Sequence, residues 1–289
     1  MKGTATYVFL NFYDALDDSE DRRFAAREEI RALYKFKSYS TDEHRRQVRE
    51  ILVDHKLYFA RASQLNDERD LRPQLRFRGS TDDEIRQLLR ADAEGVWGRK
   101  VPPFSAPELQ RLRERLTILT LEQLEQDALV RTHRRLEEHY WILSLTASRD
   151  YVAMWDDYAD RRQGLCIHFR SDGDSPFGIA QPVLYQDDVP VLLVPLGTER
   201  EVADISTLTK MRRWQQERKY RLIRYPDVDF SDAYLRFDGQ HAYFPPWAIS
   251  GITVGMSMPV DHVHEVLRLA ETHDPPLPVW RPNSTMGLG

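Results

Sequence analysis

Hydrophobic positions recur along this chain with two periods, and the switches between them mark out its elements. From Ser40 the run STDEHRRQVREILVDHK puts Val48, Ile51 and Leu52 on one face of a helix, with Ser40 or Thr41 as its cap and Glu43 completing a capping box with Ser40. Two short aromatic-rich pieces flank it, Leu33 to Lys37 and Leu57 to Ala60, and both read as strands. Beyond the polar loop SQLNDERD the pattern is helical from Thr81 to about Tyr140, interrupted at GVWGRKVPPF, where two glycines and two prolines stop a continuous helix. Ser105 with Glu108 and Thr120 with Gln123 have capping-box spacing, and Leu109, Leu112 and Leu116 share a face. From Trp141 the strand signals return: WILSLTA, GLCIHF from Gly164, PVLY from Pro182, YRLIRY from Tyr220, AYLRF from Ala233 and AISGITVG from Ala248. A last helix, PVDHVHEVLRLAETH, sets Val260, Val263, Val266 and Leu267 on one face, and the tail over 275–289 is expected to fray.

These elements predict an α+β fold: a central, mostly antiparallel set of strands with flanking helices and a helical insertion over 81–139, within a single domain spanning 1–289. With 41% hydrophobic and 30% charged side chains the chain can bury a full core. The formal charge of -5 argues against a general coat of cations for nucleic acid, although net charge hides local clusters. Cys166 stands alone, which excludes an intrachain disulfide, and no metal spacing appears, since His262 and His264 diverge on a helix. No run approaches the roughly 18 apolar residues of a membrane span, and MKGTATYVFLNFYDALDDSED lacks the apolar core and cleavage site of a signal peptide. A reducing, cytoplasmic setting with no membrane partner is expected. Neither a Gly-rich phosphate loop nor a nucleophile elbow occurs.

Four segments carry candidate chemistry, each beside a plainer reading. Lys210, Arg212, Arg213, Arg218, Lys219, Arg221 and Arg224 surround Glu217 and interleave with Trp214 and Tyr220, which suits phosphates and stacked rings or else a solvated helix end. Ser144 and Thr146 project from one face of the WILSLTA strand, where hydroxyls can meet a ligand or solvent. Trp155 and Tyr158 in AMWDDYAD are helical neighbours, a spacing more common in cores than in ligand sites. Asn66-Asp67 is a loop dipeptide of the kind that turns the backbone through its own side chains.

In order, these segments resemble the bacterial domain-of-unknown-function 2971 family over roughly Leu33 to Gly255. The resemblance rests on Leu33-Tyr34-Lys35-Phe36, Leu57-Tyr58-Phe59, Asn66-Asp67 followed by Glu68 where proline is usual, Ser144, Met154-Trp155-Asp156-Asp157-Tyr158-Ala159-Asp160, Gly164 to Phe169, Val183-Leu184-Tyr185, and the box Trp214 to Arg221. That family's order of elements is similar to that of ADP-ribosyltransferases. The similarity implies NAD as substrate, with Lys35 at the first catalytic position, Ser144 at the second with Thr146 beside it, and Glu217 at the third. It further implies a cofactor site of Tyr34, Asn66, Thr146, Trp155, Tyr158, Gln215, Tyr220 and Arg221. Near the ribose 2′-hydroxyl, a carboxylate would stabilise the cation that develops as nicotinamide leaves. Two positions depart from the family pattern: Lys35 replaces its histidine and Lys219 the second glutamate of its E-x-E. The resemblance thus implies an NAD-dependent ADP-ribosyltransferase or NAD-cleaving effector of toxin or phage-defence type, with a nucleic-acid or protein acceptor and a neutralising partner protein. The alternative is a degenerate sensor that binds a nucleotide or nucleic acid in the same basic, aromatic cleft.

Overall fold

The computed structural model describes Ala25 and residues 30–281, except 68, 78, 80, 94–105, 195–198, 227, 229 and 231–233. In chain order its elements begin with β1 (Ala32–Lys37), α1 (Asp42–Leu52), β2 (Lys56–Tyr58), β3 (Gln74–Phe77), α2 (Asp82–Ala93), α3 (Ala106–Ile118) and α4 (Leu121–His139). There follow β4 (Trp141–Thr146), α5 (Val152–Tyr158), β5 (Leu165–Arg170), β6 (Gln181–Pro182), β7 (Leu184–Gln186), β8 (Val191–Val194), α6 (Glu199–Thr207) and β9 (Thr209–Met211). Last come β10 (Lys219–Arg224), β11 (Arg236–Asp238), β12 (His241–Tyr243), β13 (Ile249–Val254), α7 (Val260–Glu271) and β14 (Val279–Trp280). The chain divides into two compact units, one of Met1–Ala60, Trp141–Val183 and Arg213–Gly289, the other of Arg61–Tyr140 and Leu184–Arg212.

The first unit is built on a seven-stranded sheet in the order β14-β13-β5-β1-β4-β10-β6. All its neighbours are antiparallel except the β13–β14 pair, in line with the expected α+β class. β1 and β4 are in register at a single pair, Tyr34 with Thr146, whereas β4 and β10 match over six, including Ser144 with Arg221 and Thr146 with Lys219. Alternation then sends Tyr34, Phe36, Cys166, Ser144, Thr146, Lys219 and Arg221 to one face, where α5 packs Met154 and Trp155 onto Phe36 and Cys166. Leu33, Leu143, Leu145, Ile167 and Phe169 are buried on the other. Burial on both faces is why WILSLTA and LCIHF read as nearly continuous apolar runs. Each such side chain removed from water contributes about 1.5–3 kcal/mol. A small sheet, β11-β12-β2, belongs to the same unit.

Several expectations shift by a residue or a face. Thr41 caps α1, its hydroxyl accepting from His44 N at 3.2 Å, so the third helical residue is His44 and Glu43 pairs with Arg46 instead of closing a box with Ser40. The inner stripe of α7 is Val266, Leu269 and Ala270; Val260 starts the helix and is 61% exposed, and Leu267 is 37% exposed. The tail does not fray as far as Arg281, because β14 adds to the sheet edge and Trp280 stacks on His168 at 5.1 Å; residues 282–289 lie outside the described ones. PVLY divides: Pro182 sits at the sheet edge, where a missing N–H costs no ladder bond, while Leu184–Gln186 joins the second unit. AYLRF forms a strand only from Arg236, Tyr234 being a turn residue with φ 56° and Ala233 lying outside the described residues.

The second unit holds α2, α3 and α4 with two parallel ladders, β3–β8 and β7–β9. The capping box of α4 forms in both directions, Gln123 N to Thr120 Oγ1 at 3.2 Å and Thr120 N to Gln123 Oε1 at 2.9 Å. The Arg86 guanidinium donates to the carbonyls of Leu116 and Leu119, satisfying acceptors that α3 leaves open at its end. Leu116 is buried and Leu112 half-buried, whereas GVWGRKVPPF, the Ser105–Glu108 box and the Leu109 side chain lie outside the described residues. The helices expected over 81–139 thus lie within a larger unit that the chain enters twice.

Candidate functional site

Glu217 closes a 3-10 turn over Arg212–Glu217, and Arg218, at φ 43°, swings the chain into β10. That turn carries Glu217 back over the end of β4. The buried Thr146 hydroxyl holds it there, donating to the Glu217 carbonyl at 2.5 Å and accepting from Ser148 N at 2.9 Å. Tyr158, the last residue of α5, donates its hydroxyl to Glu217 Oε1 at 2.9 Å. Lys219 Nζ lies 3.1 Å from Glu217 Oε2 and 3.2 Å from the Tyr158 oxygen, above the tyrosine ring. With Glu217 4% and Lys219 8% exposed, both carboxylate oxygens are engaged in a nearly dry setting. Such a pair is held by complementarity: removing one partner strands a buried charge, at about 3–5 kcal/mol.

The remaining residues expected at the site disperse. Lys35 leaves the sheet on the face opposite Tyr34 and Phe36, and its Nζ donates to the Ser144 carbonyl at 3.2 Å. It lies deep in the unit yet keeps part of its surface open to solvent, and burial, aided by the charges of Lys37 and Lys219, pushes its pKa down to about 7. Trp155 is a core residue, edge-on to Phe36 at 4.9 Å with its indole N–H on the Arg149 carbonyl, so it offers no open face to a nicotinamide ring. Tyr220 and Arg221, expected at the cofactor site, are likewise buried, Arg221 completely. Gln215 is exposed on the 3-10 turn, and Asn66 is exposed in the second unit, where Asp67 Oδ1 accepts from Arg69 N at 3.1 Å in an ordinary side-chain turn. The basic run divides as well: Lys210 is buried and Arg212 pairs with Asp187 in the second unit, while Arg213 lies over Trp214 in the first.

Half-buried aromatics on this face are Tyr34, Tyr151 and Tyr158, all resting on the Phe36–Trp155–Cys166 cluster. Tyr34 meets the ring of His168 edge-on at 5.0 Å, and His168 Nε2 lies 2.9 Å from the Thr253 hydroxyl. Burial, with a contribution from Arg149, lowers the His168 pKa to about 4. Arg149, whose charge reaches Tyr34 as well, belongs to no motif and had no signal in the sequence. Beyond Tyr158 the box ends in three consecutive left-handed residues, Asp160, Arg161 and Arg162, at φ 49°, 52° and 69°. Among the described residues no group of three or more His, Cys, Asp or Glu can hold a metal ion, and no helix is long and apolar enough to cross a membrane. Compared with family models, curated proteins and solved structures, the chain matches none of them.

Proposed function

We propose that this chain is a binding-only relative of the domain-of-unknown-function 2971 and ADP-ribosyltransferase-like proteins, a module that senses an anionic nucleotide such as NAD without transferring ADP-ribose. One observation carries this reading: the carboxylate at the expected catalytic position is neutralised by Lys219 at 3.1 Å. A carboxylate serves nicotinamide cleavage through charge that is unbalanced until the sugar cation develops. In Glu217 a lysine already balances it. The kinship itself rests on the order of motifs from Leu33 to Gly255. A ligand over this face would meet the Tyr34 and Tyr158 rings, suited to a base, with the charge of Arg149, whose Nε lies 3.2 Å from Asp150 Oδ1, reaching Tyr34. Incubating the protein with NAD tests the reading: NAD should raise the melting temperature while no nicotinamide appears.

A second reading, the NAD-dependent transferase or NAD-cleaving effector of toxin or phage-defence type, is favoured by the meeting of Glu217, Tyr158 and Thr146 from distant segments, the last two 59 and 71 residues from Glu217. Nicotinamide release by the wild type, lost in Glu217→Gln at a temperature where that variant, destabilised by its unpaired Lys219, is still folded by circular dichroism, would select it over the binding-only module.

A further inference from the structure

The first unit contains a recess of about 630 Å³ that shares no residue with the Glu217 network. Its size falls in the range of small-molecule pockets, roughly 300–1,000 Å³. Phe230, Phe237, Tyr243 and Phe244 supply aromatic walls, and Arg224 and Arg236 the charge. Arg224 ends β10 beside its strand partner Trp141, its guanidinium 4.4 Å from the Trp141 ring and 5.5 Å from Phe237. Arg236 lies 4.4 Å over Tyr243, its partner across the β11–β12 ladder. Neither guanidinium is ion-paired to a carboxylate among the described residues, and burial lowers the pKa of Arg224, a sign that its charge is incompletely solvated. These cation–π contacts hold both groups at the recess, and a guanidinium held there can fork onto an anion.

We propose that this recess binds a small aromatic anion, a flat one- or two-ring system bearing a carboxylate or a phosphate. A neutral ring would desolvate two guanidiniums without compensating them. An inorganic anion would leave the aromatic walls unfilled. Only a ligand joining both features uses the whole lining.

The test is titration of the full chain with 1-naphthyl phosphate, 1-naphthoate, neutral 1-naphthol and inorganic phosphate, read by calorimetry. One or both naphthyl anions should bind at least about tenfold more tightly than naphthol or phosphate, the tighter of the two identifying the anionic group. Arg236→Gln and Arg224→Gln should each weaken that anion about tenfold or more, in keeping with the loss of one charge-assisted contact. Equal affinities across the four probes, or no binding at millimolar concentration, would overturn the assignment. So would anion affinity unchanged in Arg236→Gln, whose exposed side chain can be replaced without disturbing the packing that holds Arg224 against Trp141. These probes carry no nucleotide, so their outcome is independent of whether NAD is sensed at the Glu217 face.

Discussion

Lys35 stands on a central strand with a backbone carbonyl as its hydrogen-bond acceptor and two other lysines as its charged neighbours. Its folded pKa of about 7 lies below the value of 10.5 for a solvated lysine, so between these limits the unfolded chain holds a proton that the folded chain has released. Stability from this residue therefore rises with pH from about 7 to 10.5 and is lowest below 7. Lys35→Met should raise the melting temperature at pH 6 to 7 and flatten its pH dependence up to pH 10; a variant with an unchanged slope would mean that the amine is solvated. The Glu217 network gives a second expectation at this scale. Lys219→Met should cost about 3–5 kcal/mol because the carboxylate is left buried and unpaired, and Tyr158→Phe about 1–3 kcal/mol for a lost buried hydrogen bond. In a double-mutant cycle by urea melts the two should couple, since all three groups touch. The Trp214 to Arg221 box singled out Glu217 from the sequence, but Lys219 registered there only as a departure. Its partnership depends on the register of β10 against β4 and on where α5 ends, which no local spacing encodes.

At the scale of elements, the turn after α5 places three successive non-glycine residues in the left-handed region. Arg161 N bonds back to the Asp156 carbonyl, the six-to-one link of a Schellman ending, and Ser257 N bonds to the Arg162 carbonyl. A left-handed conformation costs a non-glycine residue about 1–2 kcal/mol, and here three occur in succession. They are held by close backbone packing: a Cβ on Gly255 would collide with the carbonyls of Arg162 and Gly164. Gly255→Ala should thus destabilise by about 1–3 kcal/mol or more, whereas Arg161→Gly should stabilise by up to about 1 kcal/mol, both readable in urea melts. A loss of stability in Arg161→Gly would show that its side chain outweighs the relief of strain. The sequence announced most of the strands and helices, since burial on one or both faces leaves a period behind. It did not announce this turn, because Asp160, Arg161 and Arg162 are none of the residues that favour positive φ without cost. The inner stripe of α7 was misplaced for a related reason: periodicity fixes which residues align, and only packing decides which aligned set faces inward.

For the molecule as a whole, the two units escaped the sequence because each is assembled from separated stretches, the chain crossing between them after Ala60, Tyr140, Val183 and Arg212 at points that lack glycine- or proline-rich linkers. Net charge was legible, and it bears on binding. A chain of charge -5 repels an anion at long range, yet the proposed ligands of both sites are anions. Magnitudes decide which effect wins. Five charges at about 20 Å in water repel a unit anion by roughly 1 kcal/mol, and at physiological ionic strength, where the screening length is about 8 Å, by about a tenth of that. A guanidinium at roughly 4 Å in a partly desolvated recess attracts the same anion by about 4 kcal/mol before desolvation is counted. Contact attraction should therefore outweigh the diffuse repulsion, and added salt should weaken binding through the contacts. Affinity of NAD and of the naphthyl anions, measured by calorimetry from 0.05 to 0.5 M sodium chloride, should fall steadily, and the fall should be shallower for the naphthyl anions in Arg236→Gln. An affinity that rises with salt would mean that repulsion by the whole molecule governs, and that neither set of cations is placed to hold an anion.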